Sequence, residues 1–293
     1  IFKKEAPLRR NIIMLKRTVT AVFIVIGLVI VAYFSATPVL PVTVAVFSAI
    51  AVLEMGRCTG SIKNLWTFVP SVVAAIAMPL CARLFESVYV CLIAYLSDFY
   101  LMLVYFLVYA VFSKNSFDPA DATLAFGTTF YIVFGFTSIV LLRDVKFGQY
   151  ICLLAVGAPW ISDVFAYLCG RFFGKHKLIP NVSPKKTVEG SIGGIIFCSA
   201  LCAVYGFLVF RMFRDDFTDV NYLFFIIAGV VISVVSQIGD LIASVIKRKY
   251  NLKDYGRIFP GHGGVLDRFD SILPTAPFIL LLVILPLGFE MFI

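Results

Sequence analysis

Three aspartates in the last quarter of the chain, Asp240, Asp267 and Asp270, have the residue types and spacing of a cation site. Asp240 sits in Gln237-Ile238-Gly239-Asp240, within a long apolar segment. Ser244 follows at i+4 and Lys247 at i+7, so the three share one face if the segment is helical. A carboxylate inside a membrane span is costly and is normally paired or functional. A salt bridge to a neighbouring lysine is the simpler reading of Asp240. Asp267 and Asp270 stand at i, i+3 where another apolar segment begins. Taken alone they read equally well as helix-capping carboxylates. Three carboxylates in a partly dehydrated pocket, however, need a cation. Oxygen ligands favour Mg²⁺, which binds through one or two carboxylates plus phosphates and water. The absence of a His/Cys cluster argues against zinc.

The surrounding residues add positive charge. The run Ser244–Asp270 carries six of the 25 Lys and Arg residues, among them Lys247, Arg248 and Arg268. Its Gly261-His262-Gly263-Gly264 turn has backbone N–H groups that could approach phosphate oxygens, with His262 donating to phosphate or stacking on a base. A plain loop turn is the competing reading. Neither a Walker A loop nor a dinucleotide fingerprint is present. A second basic stretch, Gly170–Gly194, holds Arg171, Lys175, Lys177, Lys185 and Lys186. Membrane topology alone would explain these cations, but Ser183-Pro184-Lys185-Lys186-Thr187 mixes hydroxyls, a rigid turn and paired lysines, which suits phosphate capture. Ser191-Ile192-Gly193-Gly194 is expected to open a helix whose N-terminal dipole adds to the positive field.

The elements that must position these residues are apolar helices. Of 293 residues, 61% are hydrophobic and 14% charged, and the mean hydropathy is +0.98. A soluble domain carries roughly 25% charged residues. The expectation is an all-α polytopic membrane protein of about nine transmembrane helices. They fall at about 18–36, 38–56, 64–83, 87–112, 122–142, 147–172, 191–212, 220–247 and 270–292. The chain divides into a basic cytoplasmic tail (1–17), N-terminal transmembrane helices (18–121) and a C-terminal catalytic half (122–293). With the N-terminus inside, only Arg83, Arg143, Lys146, Arg211 and Arg214 fall in outer loops, and the other 20 of the 25 cations lie inside. The net charge of +8 reflects that bias, and it also suits an anionic lipid surface or phosphorylated substrates. The first apolar run is too long for a signal-peptide core and reads as a span. The seven cysteines form no CxxC and read as small apolar packers.

Depth brings the carboxylates together. Asp163 lies about nine residues, roughly 13 Å, inside the cytoplasmic end of the sixth segment, and Asp240 about seven residues, roughly 10 Å, inside that of the eighth. Asp267 and Asp270 open the ninth from the same side, so three helices bring carboxylates to one face. Asp98, mid-span in the fourth segment, reads as a hydrogen-bonding group within the bundle.

These residues resemble a known family. Ser244-x-x-Lys247-Arg248, Lys253-Asp254 and Pro260-x-His262-Gly263-Gly264-x-x-Asp267-Arg268-x-Asp270 are similar to the signature of the phosphatidate cytidylyltransferases, or CDP-diacylglycerol synthases. Trp160-x-x-Asp163-x-x-Ala166-Tyr167, Gly170-Arg171, Gly174-Lys175 and Ser183-Pro184-Lys185-Lys186-Thr187-x-Glu189-Gly190 resemble it too. The likeness runs over about residues 160–277; the first half matches only in being helical and apolar. The resemblance implies a nine-helix, homodimeric membrane enzyme that converts phosphatidate and CTP to CDP-diacylglycerol and pyrophosphate. It implies Mg²⁺ on Asp240 and Asp267, with K⁺ as a second ion. Asp270 and Asp163 are further candidate metal ligands. Lys247 and Arg268 are candidate catalytic groups. Ser183, Lys185, Lys186, Thr187, Ser244, Arg248, His262, Gly263 and Gly264 are candidate substrate contacts.

The expected partners are CTP, phosphatidate in the cytoplasmic leaflet and the bilayer, with no nucleic acid. The expected location is a bacterial inner membrane with the site facing the cytoplasm. Two other readings fit less well. A CDP-alcohol phosphotransferase would carry a DGxxAR…GxxxD…D pattern, which is missing. A cation transporter using Asp98, Asp163 and Asp240 would place its carboxylates near mid-bilayer between pseudo-symmetric halves.

Overall fold

A computed structural model describes residues 20, 22, 24–85, 87–113, 117–212, 221–259 and 263–284. The basic N-terminal tail and His262 lie outside these residues, as does the loop carrying Arg214. The chain is a helical membrane protein. In order, its helices are α1 (Ile24–Tyr33), α2 (Val39–Thr59), α3 (Leu65–Cys81), α4 (Val88–Phe112), α5 (Pro119–Asp144), α6 (Gly148–Phe173), α7 (Val188–Met212), α8 (Tyr222–Lys249), α9 (Leu266–Phe269) and α10 (Ile272–Ile284). Among the described residues, α2, α4, α5, α6, α7 and α8 are long and apolar enough to cross a membrane, whereas α1, α3 and α10 are shorter apolar helices.

Helix ends follow local chemistry. Asp118 and Asp121 form a capping box at the start of α5, with Pro119 in the first turn. Asn221 caps α8 by accepting the Phe224 N–H at 3.0 Å. At the other end of α8, Asn251 takes a left-handed conformation at φ 56°. Leu252 N donates to the Lys247 carbonyl at 2.8 Å, and Asn251 N to that of Arg248 at 3.1 Å. That double closure is a Schellman motif with Asn as its left-handed residue. It turns the chain sharply just after Lys247.

The helices form two groups sharing α5 and α10. Helices α2, α3 and α4 pack against α5, while α6, α7 and α8 pack on one another. Helix α10 touches α5, α6 and α8. The core between them is apolar, with Phe136, Ile132, Leu142, Phe225, Ile232 and Leu273 fully buried. The large hydrophobics of α4 and of the outer faces of α6 to α8 remain exposed, as lipid-facing residues should be. All seven cysteines are free and none is fully exposed, consistent with apolar packing.

The structure differs from the sequence expectation in three places. The basic stretch contains a two-stranded antiparallel sheet, β1 (Lys177–Ile179) and β2 (Ser183–Thr187), with Lys177 opposite Thr187 and Ile179 opposite Ser183. Pro180 and Asn181 lie in the turn between the strands, and polar composition hides so short a ladder from periodicity. Helix α7 begins at Val188, three residues before the expected Ser191, because β2 runs straight into it. Finally, Asp267 and Asp270 do not lie on one continuous helix. The chain makes one turn, α9, and breaks at Asp270–Ser271 before α10. The Ser271 N–H donates to Asp270 Oδ1 at 2.9 Å, a local side-chain bond that replaces the helical one.

Candidate active site

The break between α9 and α10 brings the aspartates together from three directions. Gly239 of α8 is where this approach is closest. A Cβ there would sit 2.5 Å from Pro274 Cγ and 2.6 Å from the Asp270 carbonyl. Only a residue without a side chain lets α8 lie this close, and the next residue is Asp240. On the other side, Asp163 of α6 accepts the Ser271 hydroxyl at 2.9 Å. Ser271 thus joins Asp163 and Asp270 through adjacent groups. Trp160, one turn earlier on α6, has its indole N–H 3.5 Å from the Arg268 carbonyl.

Two lysines neutralise part of this charge. Lys186 Nζ lies 2.6 Å from Asp240 Oδ2, both side chains being about a quarter exposed, although it is off the axis of a hydrogen bond. Lys247 Nζ donates to Asp267 Oδ1 at 2.8 Å. Asp267 Oδ2 accepts two backbone N–H groups, Tyr255 at 2.8 Å and Gly264 at 2.9 Å. Tyr255 is buried, donates its hydroxyl to the Ala243 carbonyl at 3.0 Å, and lies with its ring 5.2 Å from Lys247 Nζ. Burial holds the Tyr255 phenol well above its usual range.

The other expected contacts sort by position. Within β2, Lys186 is half-buried and Lys185 exposed. Thr187 is buried, and its hydroxyl oxygen accepts the Gly190 N–H at 3.2 Å, an anchoring role in the first turn of α7. Ser183 is half-buried at the start of β2. Ser244 Oγ is only within 3.5 Å of Asp240 Oδ1. Arg248 and Arg268 are exposed. Asp98 is also exposed, on the outer face of α4, away from these residues. The turn at Gly263-Gly264 spends the Gly264 N–H on Asp267, and Gly263 has φ 88° with its Cβ position 2.8 Å from Asp267 Oδ2. These glycines therefore make room for a carboxylate of the chain itself.

Sequence reading passed over Glu54 and Tyr131. Glu54, on α2, is buried and accepts the Val265 and Leu266 N–H groups at 3.0 and 2.9 Å. A lone carboxylate inside an apolar segment was the available signal. The Tyr131 hydroxyl, on α5, is buried without a partner among the described residues and feels the charge of Asp270.

The donor set fits a hard divalent cation. Asp270 lies ahead of α10, outside the helices that span, and its carboxyl is raised to about 7, first by burial and then by the charge of Asp240, with Asp163 and Asp267 adding to it. Such mutual repulsion among oxygen donors is what a cation relieves. Among the described residues no three His, Cys, Asp or Glu side chains form a ready-made metal cage. Magnesium does not require one, since phosphates and water complete its shell. The Tyr131 hydroxyl, buried without a partner among the described residues, is a further polar group with unused hydrogen-bonding capacity.

Residues 15–285 match the cytidylyltransferase family. A protein of Staphylococcus haemolyticus named phosphatidate cytidylyltransferase is 40% identical over 176 residues, which is 60% of this chain and 64% of that one. Proteins of the same name from Staphylococcus epidermidis and Staphylococcus aureus are each 41% identical, over 176 and 178 residues, with the same coverage. The match thus spans about 64% of the length of these relatives.

Proposed function

The chain belongs to the cytidylyltransferase family, and on that premise we propose that it joins CTP to phosphatidate, forming CDP-diacylglycerol and releasing pyrophosphate. The observation that carries this reading is the pairing of Lys186 with Asp240 and Lys247 with Asp267 beside Asp270, contributed by β2, α8 and the α9–α10 break. Acids for a cation and cations for phosphate stand side by side. Two polyanions must meet in this reaction, and such a site suits them.

The lipid phosphate is the nucleophile. Its second pKa lies near 6, so at pH 7 it is largely dianionic. A phosphate oxygen forms the new bond to the α-phosphorus of CTP as the bond from that phosphorus to the bridging oxygen breaks, and pyrophosphate leaves with the electron pair. No general base is needed, in keeping with a site built of Asp and Lys. Lys186 and Lys247 can turn from their aspartates to the phosphates, and exposed Arg248 and Arg268 can screen the approaching triphosphate.

Asp240, Asp267 and Asp270 would hold Mg²⁺, with Asp163 supporting Asp270 through Ser271. When bound, the ion would supply Lewis-acid neutralisation of the reacting phosphates. Asp267 would ligate by exchanging Lys247 for the ion; Asp240 and Asp270 have freer oxygens. K⁺ as a second ion, a homodimer, and a bacterial inner-membrane location with a cytoplasmic site belong to the same reading. The deciding experiment incubates the detergent-solubilised protein with radiolabelled CTP, phosphatidate and Mg²⁺. Lipid-soluble label with stoichiometric pyrophosphate is the expected result; label-free lipid would refute the assignment.

A further inference from the structure

We propose that Glu54, on the second helix, is a positioning residue that holds Asp267 in its working orientation. This rests on the nucleotidyl-transfer reading of the site. Glu54 is 2% exposed in a helix that is otherwise apolar around it. Burying a carboxylate without a counter-charge is expensive unless hydrogen bonds replace water. Glu54 makes no ion pair within 4 Å among the described residues, and Arg57, one turn further along the same helix, acts on it only from an exposed position. What it has is two N–H groups in succession, Val265 to Oε1 at 3.0 Å and Leu266 to Oε2 at 2.9 Å.

Those N–H groups lie at the start of α9, where a helix has no internal acceptor for them. A side chain from the distant N-terminal part of the chain therefore caps the one-turn helix that carries Asp267. The preceding N–H, Gly264, turns instead to Asp267 Oδ2. Three consecutive amides are thus divided between two carboxylates, and displacing one bond shifts the others. The space for Glu54 is built in as well. A Cβ on Gly256 or Gly264 would fall 2.1 or 2.2 Å from Glu54 Oε1. Glu54 lies beneath the loop and touches neither Lys186 nor Lys247, so its influence passes through Asp267.

Carboxylates that orient a metal-site ligand typically contribute 10–100-fold to metal affinity or turnover. E54Q keeps the size but sets an NH₂ against a backbone N–H. In that variant, Mn²⁺ binding without substrates, followed by electron paramagnetic resonance, should weaken at least tenfold. The Mg²⁺ concentration for half-maximal turnover should rise by a similar factor and kcat should fall at least tenfold, while KM for phosphatidate stays within twofold. E54D, with the charge kept and the reach shortened, should recover part of the loss. Should E54Q not fold, G256A presses on the same carboxylate from the loop and should give the same pattern. Folded variants with Mn²⁺ affinity within twofold of wild type, and a changed melting temperature only, would overturn the proposal. Wild-type protein that binds Mn²⁺ through Glu54-dependent geometry but makes no CDP-diacylglycerol would refute the reaction instead, leaving the positioning role standing.

Discussion

Lys247, in the last turn of α8, and Asp267, in α9, hold each other at 2.8 Å with side chains only 13% and 3% exposed. The Schellman closure after Lys247 and the backbone donors of Tyr255 and Gly264 fix the two ends of this pair. A buried ion pair adds little net stability over an apolar pair, but breaking one side is costly, about 3–5 kcal/mol, because the remaining charge stays buried. The pair therefore reads as a held position more than as a source of stability. Its charge balance also changes least if a phosphate takes the lysine while a cation takes the aspartate.

Asp267→Asn tests that position. The amide can satisfy either Lys247 or the two backbone donors but must turn an NH₂ toward the other set. The unfolding midpoint in detergent should drop by several degrees, in line with about 3–5 kcal/mol for one broken side of a buried ion pair. Mg²⁺- and CTP-dependent product formation should fall below about one-hundredth of wild type, as for loss of a metal ligand. Near-normal turnover in the folded variant would remove Asp267 from the metal set.

Lys185 and Lys186 look equivalent in sequence but not in structure. Neighbouring side chains on a strand point to opposite faces, and here Lys186 meets Asp240 while Lys185 is exposed. Lys186→Ala should raise KM for CTP about tenfold or more, since it removes a charge-assisted phosphate contact from a half-buried site. Lys185→Ala should change it by no more than about threefold, and that small change should vanish at high salt. Steady-state kinetics of the two variants at low and high ionic strength decide the matter, and equal effects would mean that the strand does not hold this register.

Much of this was legible in the sequence for a simple reason. Apolar length signals a helix in a membrane strongly, so the expected segments at 87–112, 147–172 and 220–247 agree with α4, α6 and α8 to within two residues. The convergence of Asp163, Asp240 and Asp270 followed from depth, which needs only the rise per residue. Hidden were the features that depend on one bond or one contact. The Asp270–Ser271 break turns on a single side-chain hydrogen bond, and the β-hairpin on two strands of three and five residues of mixed polarity. Glu54 was hidden by distance: its partners lie 211 and 212 residues away in sequence.

Gly239 should be intolerant of any side chain. Ala would push a methyl group against Pro274 and the Asp270 carbonyl, a backbone atom that cannot rotate away. Such overpacking costs about 1–3 kcal/mol. The strain has to be relieved by separating α8 from α10, which moves Asp240 off Asp270. Gly239→Ala is therefore expected to lower the unfolding midpoint and to cut turnover more than tenfold together. By contrast, Gly157→Ala on α6, where a Cβ meets nothing within 4 Å, should leave both within experimental error. Similar behaviour of the two variants would show that α8 and α10 are not in tight contact at this point.

Removing divalent metal separates the roles of the carboxylates. Without a cation, Asp270 is raised to about 7 by burial and by the charge of Asp240, so the cluster as a whole resists full ionisation. Hard oxygen donors with no sulfur or imidazole among them favour Mg²⁺ or Mn²⁺ over Zn²⁺. Chelation with EDTA should abolish turnover, and Mg²⁺ or Mn²⁺ should restore it while Zn²⁺ does not. A ligand that binds the folded state alone at one hundred times its dissociation constant stabilises by about 2.7 kcal/mol. Saturating Mg²⁺ should therefore raise the unfolding midpoint of wild-type protein. Asp240→Asn and Asp270→Asn should each remove that shift if both carboxylates ligate the ion. Asp163→Asn, which removes a like charge from Asp270 and reaches it by hydrogen bond through the Ser271 hydroxyl, should keep most of it. If instead Asp163→Asn erased the shift and Asp240→Asn preserved it, the ion would have to sit on the α6 side of Ser271, and the roles given to the two helices would exchange.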